Sequence, residues 1–169
     1  MIALRCASVS KLWWRYIAVY SERQSAMKCS VHIATSADGY IATSGGGVDW
    51  LQSAGNPDAD MSTNPDMGFN DYIESVDCMI MGRKCMEVIS SFNLTPEQWP
   101  YGGIKVYVLS HSLKEPPKNL RGKVEIYSGE IPKLINQLEV EGYKHAYIDG
   151  GSTITSFLNL KHFQRNDNY

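Results

Sequence analysis

Residues 28–35 (KCSVHIAT) alternate apolar and polar side chains, and the Ser36, Asp38 and Gly39 that follow are turn residues, so the pattern predicts a strand running into a turn. Tyr40, Ile41 and Ala42 form a short apolar return ahead of the Gly-rich residues 43–49, a stretch flexible enough to be expected as a mobile loop. Asn64 and Pro65 then read as a helix start, with Phe69, Tyr72, Ile73 and Val76 at the 3-and-4 spacing of one helix face. Residues 78–81 (CMIM) are a compact apolar strand that meets Gly82, and residues 83–92 predict a helix burying Met86, Ile89 and Phe92. Residues 105–109 (KVYVL) predict a strong strand and residues 124–127 a weaker one. Ile131, Leu134, Ile135 and Leu138 then form the apolar stripe of a helix closed by Gly142. Residues 145–148 (HAYI) predict a last strand, turned by Asp149, Gly150 and Gly151 into a helix carrying Ile154, Phe157 and Leu158. Strands alternating with helices imply an α/β fold, a mostly parallel sheet with helices on both faces, in which ligands sit at the carboxyl ends of the strands.

Composition narrows this picture without redirecting it. With 169 residues, 43% hydrophobic and 20% charged, the chain has the make-up of one soluble domain. Sixteen Lys and Arg against eighteen Asp and Glu give a net charge of -2, so neither nucleic acid nor an anionic membrane is expected as a partner. Four cysteines and four histidines are scattered without C-x-x-C or H-E-x-x-H spacing, so no metal site is expected, and reduced thiols suit a cytoplasmic location. Residues 1–26 are different in kind, carrying Arg5, Lys11, Arg15 and Arg23 against Glu22 alone. Lys11 and Arg15 interrupt the apolar stretch that a secretory signal needs, while a transit peptide or an interfacial basic helix would suit the same composition. The plainer reading is an extension outside the fold, ahead of a second candidate start at Met27.

Three strand ends carry small or hydroxylic clusters: Gly82 with Arg83 and Lys84; Ser110, His111 and Ser112; and Gly150, Gly151, Ser152 and Thr153. Glycines admit a phosphate to backbone N–H groups, a helix start behind them adds positive potential, and Arg83 or Lys84 offsets the remaining charge. The serines and His111 offer donors for a further phosphate such as the 2′-phosphate of NADPH. Each cluster alone is more often a tight strand-to-helix turn than a ligand cradle. Their recurrence at successive strand ends favours a phosphorylated cofactor, although G-x-G-x-x-G and the P-loop are both absent from the sequence.

The segments SADGYIA (36–42), VDWL (48–51), DCMIMGRKCMEVI (77–89), KVYVLSHS (105–112) and YIDGGSTITSFL (147–158) resemble the dihydrofolate reductase-like superfamily, closest to the reductase domain of riboflavin biosynthesis. The resemblance covers about residues 27–160 in order. It implies a three-layer NADPH-binding reductase, commonly a homodimer, acting on a small heterocycle of pteridine or pyrimidine ribosylamino type. It also implies that Gly82, Arg83, Lys84 and Cys85 meet the cofactor's phosphates, that Leu109, Ser110 and His111 lie near its adenosine, and that Gly150, Gly151, Ser152 and Thr153 cradle the pyrophosphate. Ala34, Ile41 and Ala42 would border the nicotinamide under a lid formed by residues 43–49.

For the proton donor the region offers Asp58, Asp60, Asp66 and Asp71, with no spacing that selects one. Asp66 and Asp49 are carried as catalytic candidates, with Trp50 and Phe69 on the substrate side, although a carboxylate at a helix start most often serves as a cap. Members of the superfamily continue for several tens of residues beyond the last helix, whereas the tail here is polar, so residues 27–163 read as a reductase domain lacking its last strands and 164–169 as a tail. A nucleotide-binding module without catalysis, or an inactive fragment of such a reductase, is the alternative reading.

Overall fold

The structure, a computed structural model, describes residues 27–50 and 66–160 together with the backbone of 15–19. Six strands form one sheet: β1 (Arg15–Val19), β2 (Lys28–Ile33), β3 (Cys78–Gly82), β4 (Lys105–Leu109), β5 (Val124–Tyr127) and β6 (His145–Asp149), in the order β1-β2-β6-β3-β4-β5. The five strands from β2 to β5 are parallel, and β1 lies antiparallel on the outer side of β2 with Arg15 opposite Ile33. The extension therefore departs from the expectation in one place, since residues 15–19 of the 1–26 segment extend the sheet.

The inner strands are apolar on both faces because both faces are covered. In β3, Cys78, Met79 and Ile80 have no exposed surface, and the same holds for Val106, Tyr107 and Val108 in β4. One face packs against helices α3 (Ile131–Val140) and α4 (Gly151–Asn159) through Leu134, Leu138 and Phe157, which meet Ile80, Tyr107 and Ile148. The other packs against α1 (Phe69–Glu74) and α2 (Arg83–Ser91) through Tyr72, Ile73 and Met86, which meet Met79, Met81 and Tyr147. The result is the expected three-layer α/β arrangement.

Local departures have local causes. Helix α1 starts after Gly68, whose φ of 77° breaks the chain out of the helix; Asn64 and Pro65 lie outside the described residues. Phe92 caps α2 with 60% of its surface exposed, and Leu158 is 39% exposed, so the buried stripes end sooner than their periodicity predicts. Tyr40, Ile41 and Ala42 form bends and add no strand. The tail at 164–169 lies outside the described residues.

A buried polar chain ties α1 to the sheet. His145 Nδ1 lies 2.7 Å from the Ser75 carbonyl, which only accepts, so Nδ1 carries the proton. Nε2, 2.7 Å from Ser30 Oγ, therefore accepts from Ser30, whose oxygen in turn accepts from the Tyr72 hydroxyl at 2.8 Å. Burial lowers the His145 pKa from the ordinary 6.5, so folding favours the neutral ring and its stabilisation is complete above about 6.5 and lost as pH falls toward the folded value. Urea titrations should accordingly show the stability gap between the wild-type chain and His145→Gln narrowing as pH drops below 6.5. A gap that widens on acidification would contradict the neutral-ring assignment.

Candidate functional site

Register alone brings the three sequence clusters to one edge. Met81 pairs with Asp149 and Gly82 with Leu109, so the carboxyl ends of β6, β3 and β4 are adjacent. Gly150 has φ 92°, and a Cβ there would lie 2.6 Å from Cys85 Sγ. A Cβ on Gly82 would lie 2.9 Å from Thr153 Oγ1, and one on Gly151 would lie 2.7 Å from Ile41 Cδ1. Bare backbone is thus required where the loops after β3 and β6 meet each other and the 36–50 segment. Helices α2 and α4 begin there, and neither N-terminus has a capping side chain or an acidic residue in its first turn. A helix start without such a cap suits an outside acceptor.

The polar side chains of the clusters are disposed less uniformly. Arg83 pairs with Glu87 one turn along α2, both side chains 40–50% exposed at 42% and 47%. Turning Arg83 toward an anion gives up a surface pair worth only about 0.3–0.5 kcal/mol. Lys84 and His111 are exposed, as is Ser152, while Thr153 is buried. Ser110 is buried too, and its hydroxyl accepts from the Leu113 N–H at 3.1 Å, so it closes its own turn. Burial and the nearby Asp149 push the Cys85 thiol up to about 12, which keeps it protonated and unreactive.

The Gly-rich loop has more order than its composition suggests. Thr43 N–H donates to the Gly47 carbonyl at 3.0 Å and Gly47 N–H donates back to Thr43 Oγ1, with Gly46 at φ 82° completing the turn. Beneath it lies a cavity of about 470 Å³ lined by Ser36, Asp38, Tyr40, Ala42, Thr43, Ser44 and Trp50. Ala34, partly exposed, links β2 to this segment.

The catalytic candidates fare differently from the cofactor set. Asp66 is exposed and accepts from the N–H groups of Gly68 and Asn70 at 3.0 Å each. Those bonds hold its carboxyl below the usual range, so it is a helix-entry cap and a poor proton donor. Asp49 is exposed in the loop. Phe69 instead joins an aromatic wall: its ring meets His32 at 5.7 Å and Tyr101 at 6.4 Å, while Tyr72 meets His32 at 5.0 Å and Tyr147 at 5.1 Å.

Sequence reasoning missed the group at the foot of this wall. Asp149, read only as a turn residue, is partly exposed, and burial of its carboxyl raises its pKa against the lowering effect of the Gly150 N–H and the Cys85 thiol. The alternation of β6 was the available signal, since residues 145, 147 and 149 must share a face. Among the described residues no group of three or more His, Cys, Asp or Glu could hold a metal ion, and no helix is long and apolar enough to cross a membrane.

No protein-family model matches the chain. A solved structure does: the "Putative riboflavin biosynthesis protein" of Shewanella sp. PV-4 is 40% identical, superposes with a TM-score of 0.66, and matches over 79% of this chain and 70% of its own. The chain belongs to the family of that protein. Two uncharacterized Bacillus subtilis (strain 168) proteins are also similar, YyaP at 26% identity over 134 residues and YwjB at 34% over 137. The chain spans 65% and 67% of the lengths of these curated relatives, each match covering 76% of the chain itself.

Proposed function

We propose that the chain is an NADPH-dependent reductase of the dihydrofolate reductase-like type, transferring hydride to a small heterocycle such as a pteridine or a pyrimidine ribosylamine. The observation that carries this reading is the convergence of the Gly82, Ser110 and Gly150 loops at adjacent strand ends, with two uncapped helix starts behind them. That edge suits a dinucleotide on its own terms, because a Cβ at Gly82, Gly150 or Gly151 would fill the approach and the N-cap residues of α2 and α4 make no side-chain capping bond. Gly82, Gly150, Gly151 and Ser152 would hold phosphate through backbone and hydroxyl donors. Arg83 and Lys84 would supply countercharge, and His111 would serve the adenosine side. NADPH, when bound, supplies the hydride; the chain's part is to orient it, with Ala34, Ile41 and Ala42 beside the nicotinamide, and to exclude water beneath the 43–49 loop. The name of the Shewanella relative supports a riboflavin-type substrate. A homodimer and a cytoplasmic location belong to the same reading.

Calorimetric titration with NADPH tests the reading, and failure to bind would defeat it. Arg83→Ala should weaken binding by about 1.5–3 kcal/mol, the scale of a lost charged hydrogen bond. Unchanged affinity would remove Arg83 from the site. The exposed positions of Asp49 and Asp66 favour one second reading, a nucleotide-binding module without catalysis. Binding of NADPH without its oxidation in the presence of pteridines or ribosylaminopyrimidines would decide for the module.

A further inference from the structure

Asp149 has no part in cofactor binding, yet the sheet places it at the same edge. It ends β6 in register with Met81 and immediately before Gly150, so it stands between the two glycine loops. Residues 145, 147 and 149 of β6 share the face on which His32 of β2 meets Phe69 and Tyr72 of α1. The residue keeps partial exposure, as do Gly82 and Gly150 on either side. A carboxyl so placed borders the glycine-lined edge where the proposed cofactor would sit.

Every neighbouring element presents it with a group that carries no positive charge. Cys85 of α2 offers a thiol that stays protonated, and Tyr101, ahead of β4, and Tyr147 of β6 are phenols that burial pushes upward. The Tyr147 hydroxyl donates to the His32 carbonyl at 3.1 Å, and burial lowers the pKa of the His32 ring. Asp66, at the entry to α1, acts on His32 and keeps its own charge through backbone N–H groups. Among the described residues no lysine or arginine is one of the groups acting on Asp149, whose ionised form has the Gly150 N–H and a thiol beside it. The neutral acid is the form this surrounding favours.

Resting on the reductase reading, we propose that Asp149 is the proton donor of the reduction. When the carbon of a substrate C=N or C=O gains hydride from a reduced nicotinamide, which is thereby oxidised, the π electrons move to the heteroatom. The heteroatom takes the Asp149 O–H proton, leaving a carboxylate that water reprotonates. Exposed Asp49 and capping Asp66 leave this task open.

Carbon-13 NMR of the full chain with labelled aspartate carboxyls reads the first consequence, that Asp149 titrates above the ordinary aspartate range. An Asp149 that titrates within or below that range overturns the inference. Asp149→Asn, which keeps an acceptor for the Cys85 thiol, should bind NADPH within about twofold of wild type. Its single-turnover oxidation of NADPH with dihydrofolate or a ribosylaminopyrimidine should fall by about 10²–10⁴-fold, the range of general-acid catalysis. The wild-type rate should decline as pH rises through the Asp149 titration, and this decline should vanish in the variant; the wild-type profile and the NMR titration decide the matter even if the variant does not fold. A wild-type chain that fails to bind NADPH defeats the reductase reading, and binding without oxidation of any probe overturns both in favour of the module. Oxidation by Asp149→Asn at the wild-type rate defeats this inference alone.

Discussion

Gly150→Ala is expected to lower the free energy of unfolding by about 2–6 kcal/mol and to weaken NADPH binding with it. Two separate faults combine. A backbone at φ 92° suits only glycine, and imposing it on alanine costs on the order of 1–3 kcal/mol. The new Cβ also falls 2.6 Å from Cys85 Sγ, and a cysteine in the first turn of α2 has little room to withdraw from Asp149 beside it, which adds an overpacking cost of about 1–3 kcal/mol. Gly142 separates the two faults. Its φ of 95° is just as unusual but nothing lies within 4 Å of its would-be Cβ, so Gly142→Ala should show the backbone cost alone. Adding Cys85→Ala to Gly150→Ala should restore the overpacking part. Urea unfolding of these variants provides the measurement, and equal losses for Gly142→Ala and Gly150→Ala would mean the close approach of the two loops is wrong.

Phe157→Ala should cost about 3–5 kcal/mol, the largest loss expected from a single core truncation here. The ring is fully buried where α4 lies on the sheet, among Tyr107, Leu134 and Ile148, and its removal leaves a void that three close-packed elements must collapse to fill. Leu158, its neighbour in sequence, is 39% exposed, and Leu158→Ala should stay within about 0.5 kcal/mol of wild type. Because α4 begins at Gly151, loosening it also loosens the glycine edge, so Phe157→Ala should weaken NADPH binding at temperatures well below its own unfolding. Comparable losses for positions 157 and 158 would show that the buried face of α4 has been misassigned.

What could be read beforehand follows from the reach of each signal. The runs at 78–81, 105–109 and 145–148 announce inner strands because a strand covered on both faces reads as a near-continuous apolar run, and the glycine clusters after two of them announce where the chain must turn sharply. Strand order is another matter. Nothing local says that β6 inserts between β2 and β3, since that choice depends on surfaces made by distant segments. The same limit hid the catalytic candidate: Asp149 beside two glycines carries the chemistry of a turn, and only the neighbours that folding supplies turn it into a buried acid. Asp66, by contrast, was legible as a cap, because capping is an interaction within four residues. In the 43–49 loop, glycine content concealed the Thr43 hydroxyl that organises the turn.

The insertion of β6 also bears on how the chain is made. Ser30 and His145, joined through one hydrogen bond in the finished sheet, are 115 positions apart, so β2 emerges from the ribosome long before its inner neighbour exists. The β3–β4–β5 ladder can assemble during that interval, while β2 waits with an open edge that invites pairing with other chains. A nascent chain stalled short of residue 145 should therefore hold chaperones that one carried past residue 149 releases.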